Sequence, residues 1–237
     1  MQLTSGFKIS FLLFLTAFSC LSAAEWKLEK AQEGISIYTQ EVKGSGYLRF
    51  KGEVVVESDV DTLVALMYDT PNAVDWIYNC DQSMTLAQVS FESNYILQVY
   101  DFPFPVSDRQ VLLHSQLSYT PTGAILKTEH ANDFCRGKTT SKCLEILDFE
   151  FIKMPISKGS YSFIRLTEHQ TRVIWTQHTD PGGSIPKWLV NMMVVDTPYE
   201  TLLALKDQVE KKQYKNITDK KLKRRWHEKF AKKTTDY

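Results

Sequence analysis

One long apolar segment near the C-terminus constrains this chain most. Residues 180–211 read DPGGSIPKWLVNMMVVDTPYETLLALKDQVEK. Asp-Pro-Gly-Gly makes a turn, and Pro186 stands at a first helical position, where its missing N–H costs nothing. The helix that follows carries Trp188, Met192, Val195, Tyr199, Leu202 and Val209 at spacings of three, four and seven, which puts them on one stripe. A stripe of this kind covers either a packed core or an apolar cavity. Flexible, polarisable Met side chains suit an irregular apolar space, but periodicity does not separate the two. Pro198 falls inside the helix, where it removes one backbone hydrogen bond and crowds the preceding turn. The expected kink divides the helix into a Met-rich and a Leu-rich half.

The segments before it follow a simple order. A short helix is expected over residues 26–33, then strands over 35–42 and 47–56 around the turn Lys43-Gly44-Ser45-Gly46. Asp59 suits the N-cap of a helix reaching Met67, with Val60, Leu63, Val64 and Met67 on one face. Pro71 ends it, and Asn72 is expected to cap a short helix carrying Val74, Trp76 and Ile77. Strand patterns then occupy 83–91, 95–102, 109–119, 123–130, 144–152, 160–167 and 172–179. Pro103 and Pro105 block regular pairing and mark a loop. Strands segregated before one long helix give an α+β class with an antiparallel sheet.

The ends of the chain differ from its middle. Lys8 precedes an apolar run closed by Ser22-Ala23-Ala24, the pattern of an export signal over residues 1–24. The run falls short of the roughly 20 apolar residues that span a bilayer. A periplasmic or secreted protein is expected. Lys211 to Tyr237 holds eleven Lys or Arg against three acids, whereas residues 25–210 hold 16 basic and 25 acidic side chains. An acidic domain over 25–212 thus precedes a basic tail over 213–237. Leu222, Trp226 and Phe230 recur every fourth residue there, beside Lys223, Arg224 and Arg225. As a helix, that segment would dock on anionic lipid; as a chain end, it would be solvated. Export and the acidic domain argue against nucleic-acid binding.

Little else in the chain carries chemistry. Cys135 and Cys143 flank a polar loop, and in an oxidising compartment they are candidates for a disulfide, leaving Cys80 over. The five histidines are scattered, and neither a nucleophile elbow nor a phosphate-binding glycine loop is present. The expectation is a binder with no cofactor or metal, not an enzyme, and a monomer.

Three motifs carry a family resemblance: GISIY at 34–38, FPFPVSDR at 102–109 and DPGGSIPKWLVN at 180–191. In this order, across nearly the whole mature chain, they resemble the START family of lipid-transfer domains. The resemblance implies a helix-grip fold, in which a curved antiparallel sheet wraps the C-terminal helix around a tunnel for one lipid (a phospholipid, a fatty acid or a sterol-like molecule). It places Trp188, Asn191, Met192 and Val195 toward the ligand, and Phe102 and Phe104 at the entrance. In this reading the first half of the helix moves to admit lipid. Arg109 matches an arginine that in some sterol-binding members lies near the pocket and pairs with an acid, but Gln98 stands where a carboxylate is expected. Two rival functions fit the same fold: an enzyme of the aromatase/cyclase or hydrolase type, and a lipid-sensing adaptor.

Overall fold

The computed structural model describes residues 25–138, 140, 143, 151–215, 217–218, 220–222 and 224. Among them are ten strands: β1 (Lys27–Gln32), β2 (Ile35–Gln40), β3 (Arg49–Val56), β4 (Cys80–Ser90), β5 (Ser93–Tyr100), β6 (Arg109–Thr120), β7 (Gly123–His130), β8 (Ile152–Lys153), β9 (Ile156–Arg165) and β10 (Thr171–Asp180). Two helices accompany them, α1 (Val60–Tyr68) and α2 (Lys187–Gln208), with a 3-10 helix at Thr70–Asp75. The strands form one open sheet in the order β1-β2-β3-β10-β9-β7-β6-β5-β4, antiparallel along that path. Short β8 pairs with β6 in parallel. The α+β, helix-grip expectation holds.

Residues 26–33 are not a helix. Lys27–Gln32 pairs with β2 as an edge strand, turning at Glu33 and Gly34, both with positive φ. Its Lys, Glu, Ala and Gln favour a helix in isolation, but pairing to β2 overrides that weak preference. The charges of Lys27, Glu29 and Lys30 suit an exposed edge. The α1 expectation holds: Asp59 Oδ1 accepts from the Thr62 backbone N–H at 2.8 Å and Oδ2 from its hydroxyl at 3.0 Å. Asn72 lies inside the 3-10 helix instead of capping it. The strand expected over 144–152 lies, up to residue 150, outside the described residues.

The main core joins the concave sheet face, α1 and the second half of α2, where Leu202 and Leu205 are fully buried. Burying such a side chain contributes about 1.5–3 kcal/mol. Close approach of α2 to the sheet depends on Gly52. A Cβ there would lie 2.6 Å from Leu202 Cδ1, 3.2 Å from Ile37 Cδ1 and 3.7 Å from Pro198 Cβ. On the opposite face Leu86, Leu97 and Leu112 pack beneath the Cys135–Cys143 disulfide, and Tyr95 stacks between His114 and Phe134. Cys80 is a buried free thiol. No helix among the described residues is long and apolar enough to cross a membrane.

Overpacking beneath a helix with no slack costs about 1–3 kcal/mol. Gly52→Ala is therefore expected to lower stability by that amount in urea denaturation of the protein. A stability equal to that of the parent chain would show that α2 does not rest on β3 as described.

Candidate functional site: a cavity under the first half of helix α2

The first half of α2 stands off the sheet. Val190, Met193, Val194 and Thr197 roof a cavity of about 180 Å³ whose floor is the concave face of β5, β6, β7, β9 and β10. Ligand pockets usually measure about 300–1,000 Å³, so a lipid-sized occupant requires this one to widen. Strand register orders the floor into rows. One row is apolar: Leu117 faces Leu126, Leu126 faces Tyr161, and Tyr161 faces Trp175. Tyr161 stacks on Trp175 at 4.9 Å, and Phe50 meets Trp175 edge-on at 4.7 Å. The adjacent row is polar: Asn94 faces Ser115, Ser115 faces Thr128, Thr128 faces Gly159, and Gly159 faces Gln177. Gly159 makes room for Gln177, whose Oε1 would lie 2.1 Å from a Cβ at that position. The Gln177 amide donates to Ser157 Oγ at 2.8 Å.

Among the described residues, no Asp, Glu, Lys, Arg or His lines this space. Burial raises the pKa of the Tyr100 and Tyr161 phenols well above the usual range, so both remain neutral. Trp76 and Asn94 are among the lining residues; Trp76 Nε1 and Asn94 Oδ1 are themselves buried and have no hydrogen-bond partner among the described residues. No group of three or more His, Cys, Asp or Glu is arranged to hold a metal ion among the described residues.

Arg109 closes one end. It is 1% exposed, yet forms no ion pair with a carboxylate among the described residues. Backbone carbonyls satisfy it instead: Nε donates to Pro181 O at 3.1 Å, Nη2 to Gly182 O at 3.3 Å, and Nη1 to Ser107 O. Its guanidinium also lies 5.0 Å from the Phe102 ring. Burial lowers the pKa of the group, while the nearby Asp108 and Tyr47 act in the opposite direction. The turn that presents these carbonyls needs Gly182 and Gly183, each at φ +66°. One buried cation thus ties the loop before β6 to the turn before α2, which are the two longest sequence motifs. Gln98 does not answer Arg109: it pairs across the strands with Val111, accepts from the Tyr100 hydroxyl at 2.9 Å and lines the cavity.

Of the residues expected to face ligand, Phe102 does line the cavity. Arg109 does not; its guanidinium donates to three loop carbonyls instead. Trp188, Asn191 and Met192 point away from the cavity, with Trp188 69% and Met192 50% exposed. Val195 is partly buried and packs against the main core cluster. Phe104 is 97% exposed. The sequence between Lys187 and Asp196 is apolar at nearly every position, so periodicity cannot fix the inward direction, and the largest residue misleads. The inward residues are Val190, Met193, Val194 and Thr197. The polar row on the floor escaped the sequence reading as well. Its members alternate correctly along each strand, but their alignment depends on cross-strand register, which no single strand encodes.

The tail begins as part of the domain. Tyr214, Ile217 and Leu222 are buried in the main core cluster. The Tyr214 hydroxyl donates to Asp69 Oδ2 at 2.8 Å, and the Thr62 hydroxyl donates to Tyr214 O at 3.2 Å. The boundary expected at residue 212 therefore falls within packed structure. Leu222, expected on a lipid-facing stripe, is 8% exposed and turned onto the core. Arg224 is exposed. Lys223, Arg225, Trp226 and Phe230 lie outside the described residues.

Replacing Arg109 with Met removes three hydrogen bonds and strands buried carbonyls, each costing about 1–3 kcal/mol. Arg109→Met is expected to lose about 2–4 kcal/mol of stability and to speed hydrogen exchange in residues 103–108 and 181–185 together. Faster exchange in one segment without the other would refute the tie.

Comparison with known proteins places this geometry. The START domain family model matches residues 16–215. An uncharacterised protein of Pseudomonas aeruginosa, PA1579, is 30% identical over 190 residues, covering 80% of this chain and 89% of that protein. The crystal structure of a STAR-related lipid transfer protein fragment from Xanthomonas axonopodis superposes with a TM-score of 0.68 at 28% identity, covering 78% of this chain and 99% of the fragment. Human STARD10 shares the fold alone, with a TM-score of 0.66 at 15% identity over 87% of this chain and 77% of its own. With its sheet gripping α2 over an internal cavity, this chain belongs to the START domain family.

Proposed function

We propose that this protein is an exported lipid carrier that encloses one hydrophobic molecule between the sheet and the first half of α2. The single observation that carries the reading is the cavity itself: an apolar internal space at the position where the fold separates helix from sheet. Two further features support it. The similar Xanthomonas axonopodis protein is described as a lipid transfer protein. Among the described residues, the cavity lining holds no carboxylate, imidazole, amine or thiol able to act as acid, base or nucleophile, which favours a carrier over a cyclase or hydrolase. Affinity in such a site comes from apolar burial, about 25 cal/mol per Å² before ordering costs.

The exposed residues of the mouth supply a membrane contact. Phe102 and Val106 of the entrance loop pack with Ile185, Leu189 and Val190 at the start of α2. Phe104 and Trp188 project outward from these two joined segments, and Met192 one turn further on. Large apolar side chains held in water beside the joined loop and helix are suited to entering a bilayer. Opening would separate the first half of α2 from the loop, while the half after Pro198 stays seated on β3. Docking in this reading lies at the mouth, and the basic residues of the tail add attraction to anionic lipid.

Native mass spectrometry of the mature protein tests the carrier reading. One co-purifying or added lipid per chain is expected; no retained lipid from any class would overturn it. For docking, the triple variant Phe104→Ser, Trp188→Ser, Met192→Ser is expected to weaken co-sedimentation with phosphatidylcholine–phosphatidylglycerol vesicles at least ~10-fold, since each inserted side chain contributes about 1.5–3 kcal/mol. Lipid retention by protein already loaded should not change. Unaltered co-sedimentation would move the contact elsewhere.

A further inference from the structure

The outer face of the sheet, opposite the cavity, carries a groove of its own. Gln177 and Thr128 line the inner cavity, so by strand alternation their neighbours Thr176, His178, Lys127 and Glu129 point the other way. The groove there measures about 380 Å³. Register sets its charged row. Arg49 of β3 faces His178 of β10, and His178 faces Lys158 of β9. Lys158 faces Glu129 of β7, and Glu129 faces His114 of β6. In the row alongside, Lys127 faces Ser160, and Ser160 faces Thr176. All of these residues line the groove.

The charge of this face runs against that of the domain. Residues 25–210 hold 16 basic and 25 acidic side chains. The groove lining instead holds Arg49, Lys127 and Lys158 against Glu129 alone, among the described residues. Lys127, Lys158 and Glu129 form no ion pair among the described residues. Arg49 donates to Gln40 Oε1 at 2.5 Å and lies 5.0 Å from the Trp26 ring, with no carboxylate partner among the described residues. Like charges abreast on neighbouring strands destabilise a sheet, and here Arg49 and Lys158 flank one imidazole. His178 is 6% exposed. Burial lowers its pKa, the Leu48 backbone hydrogen bond and Asp180 act to raise it, and Lys158 and Arg49 act to lower it.

An anion with several acceptor oxygens answers this arrangement. Three cations and one carboxylate leave the groove an excess of two positive charges. A phosphate monoester carries close to two negative charges and three strong acceptor oxygens, whereas a carboxylate brings one charge and two oxygens. Lysine and arginine donate the charge-assisted bonds that are strongest to such a group. The hydroxyls of Ser160 and Thr176, 3.2 Å apart on the floor, add neutral donors.

We propose that the outer groove binds a phosphate monoester, held by Lys127 and Lys158 with Arg49 and His178 beside them. The site is separate from the lipid cavity and does not depend on the carrier reading. A soluble phosphate compound and the headgroup of phosphatidic acid share this chemistry.

The test titrates the full chain, isotope-labelled at histidine, with glycerol 3-phosphate at low salt and reads it by NMR. Saturable shifts of His114 and His178 are expected, while His169, in the turn between β9 and β10, stays in place. A nearby anion favours the imidazolium form, so the titration midpoint of His178 is expected to rise in the complex. The double variant Lys127→Gln, Lys158→Gln is expected to weaken binding at least ~10-fold. Glu129→Gln removes the opposing acid and is expected to tighten it about 2–5-fold. All three side chains are exposed, so neither variant should lower the unfolding temperature or lipid retention in the cavity. Co-sedimentation with phosphatidylcholine vesicles containing phosphatidic acid separates the two sources. Loss in the double variant assigns the lipid headgroup; glycerol 3-phosphate binding with unchanged co-sedimentation assigns a soluble compound. Shifts that persist in the double variant, or an equal response to acetate, would overturn the site. So would the absence of saturable shifts together with unchanged co-sedimentation.

Discussion

The contact between α2 and β3 at Gly52 governs the rest of the molecule. A sheet this wide and curved has a concave apolar face that one helix must cover. The half of α2 after Pro198 meets β3 closely because Gly52 has no side chain, and Leu202 fills the space. α2 runs from Lys187 to Gln208 with Pro198 inside it and buried against the sheet. Seating one half fixes the direction of the other, and that other half spans the cavity instead of filling it. Core and binding site are therefore two ends of one helix–sheet interface.

The mouth depends on a second constraint of a different kind. A guanidinium buried without a carboxylate, as Arg109 is among the described residues, is an expensive arrangement unless its donors are met. The loop before β6 and the turn before α2 meet them with carbonyls, so neither segment can move independently without exposing the charge or leaving it unpaired. This gives a physical reason for both motifs to occur in one chain. It also explains why Arg109 leaves the cavity uncharged even though its strand partner, Tyr100, lines it.

Much of this was legible in the sequence, and the boundary of what was legible is physical. Turn residues, the Asp59 cap and strand alternation are local, so most strands, α1, α2 and the cysteine pair could be read directly. Residues 26–33 were misread because an edge strand depends on its partner and not on its own composition. The cavity face of α2 was misread because Trp188, Leu189, Val190, Met192, Met193, Val194 and Val195 are apolar on every side of the helix, and Asn191, the one polar residue among them and exposed, was assigned inward. Leu222 looked like part of a membrane face because its spacing to Trp226 is the same whichever surface it meets. Trp76 and Asn94 carried no signal at all: only strand register and tertiary packing place both residues in the cavity lining.

Photo-crosslinking offers the most direct test of the central claim, that ligand lies between the concave sheet face and the first half of α2. A sterol carrying a diazirine on its apolar body would be loaded into the protein, irradiated, and mapped by peptide mass spectrometry. The account predicts adducts on cavity-lining residues such as Leu113, Leu126, Tyr161 and Met193, at one per chain, suppressed by excess unlabelled sterol. Adducts confined to Trp188, Met192, Phe104 or the tail, with the lining unlabelled, would mean that lipid touches this protein only on its surface and would contradict the account.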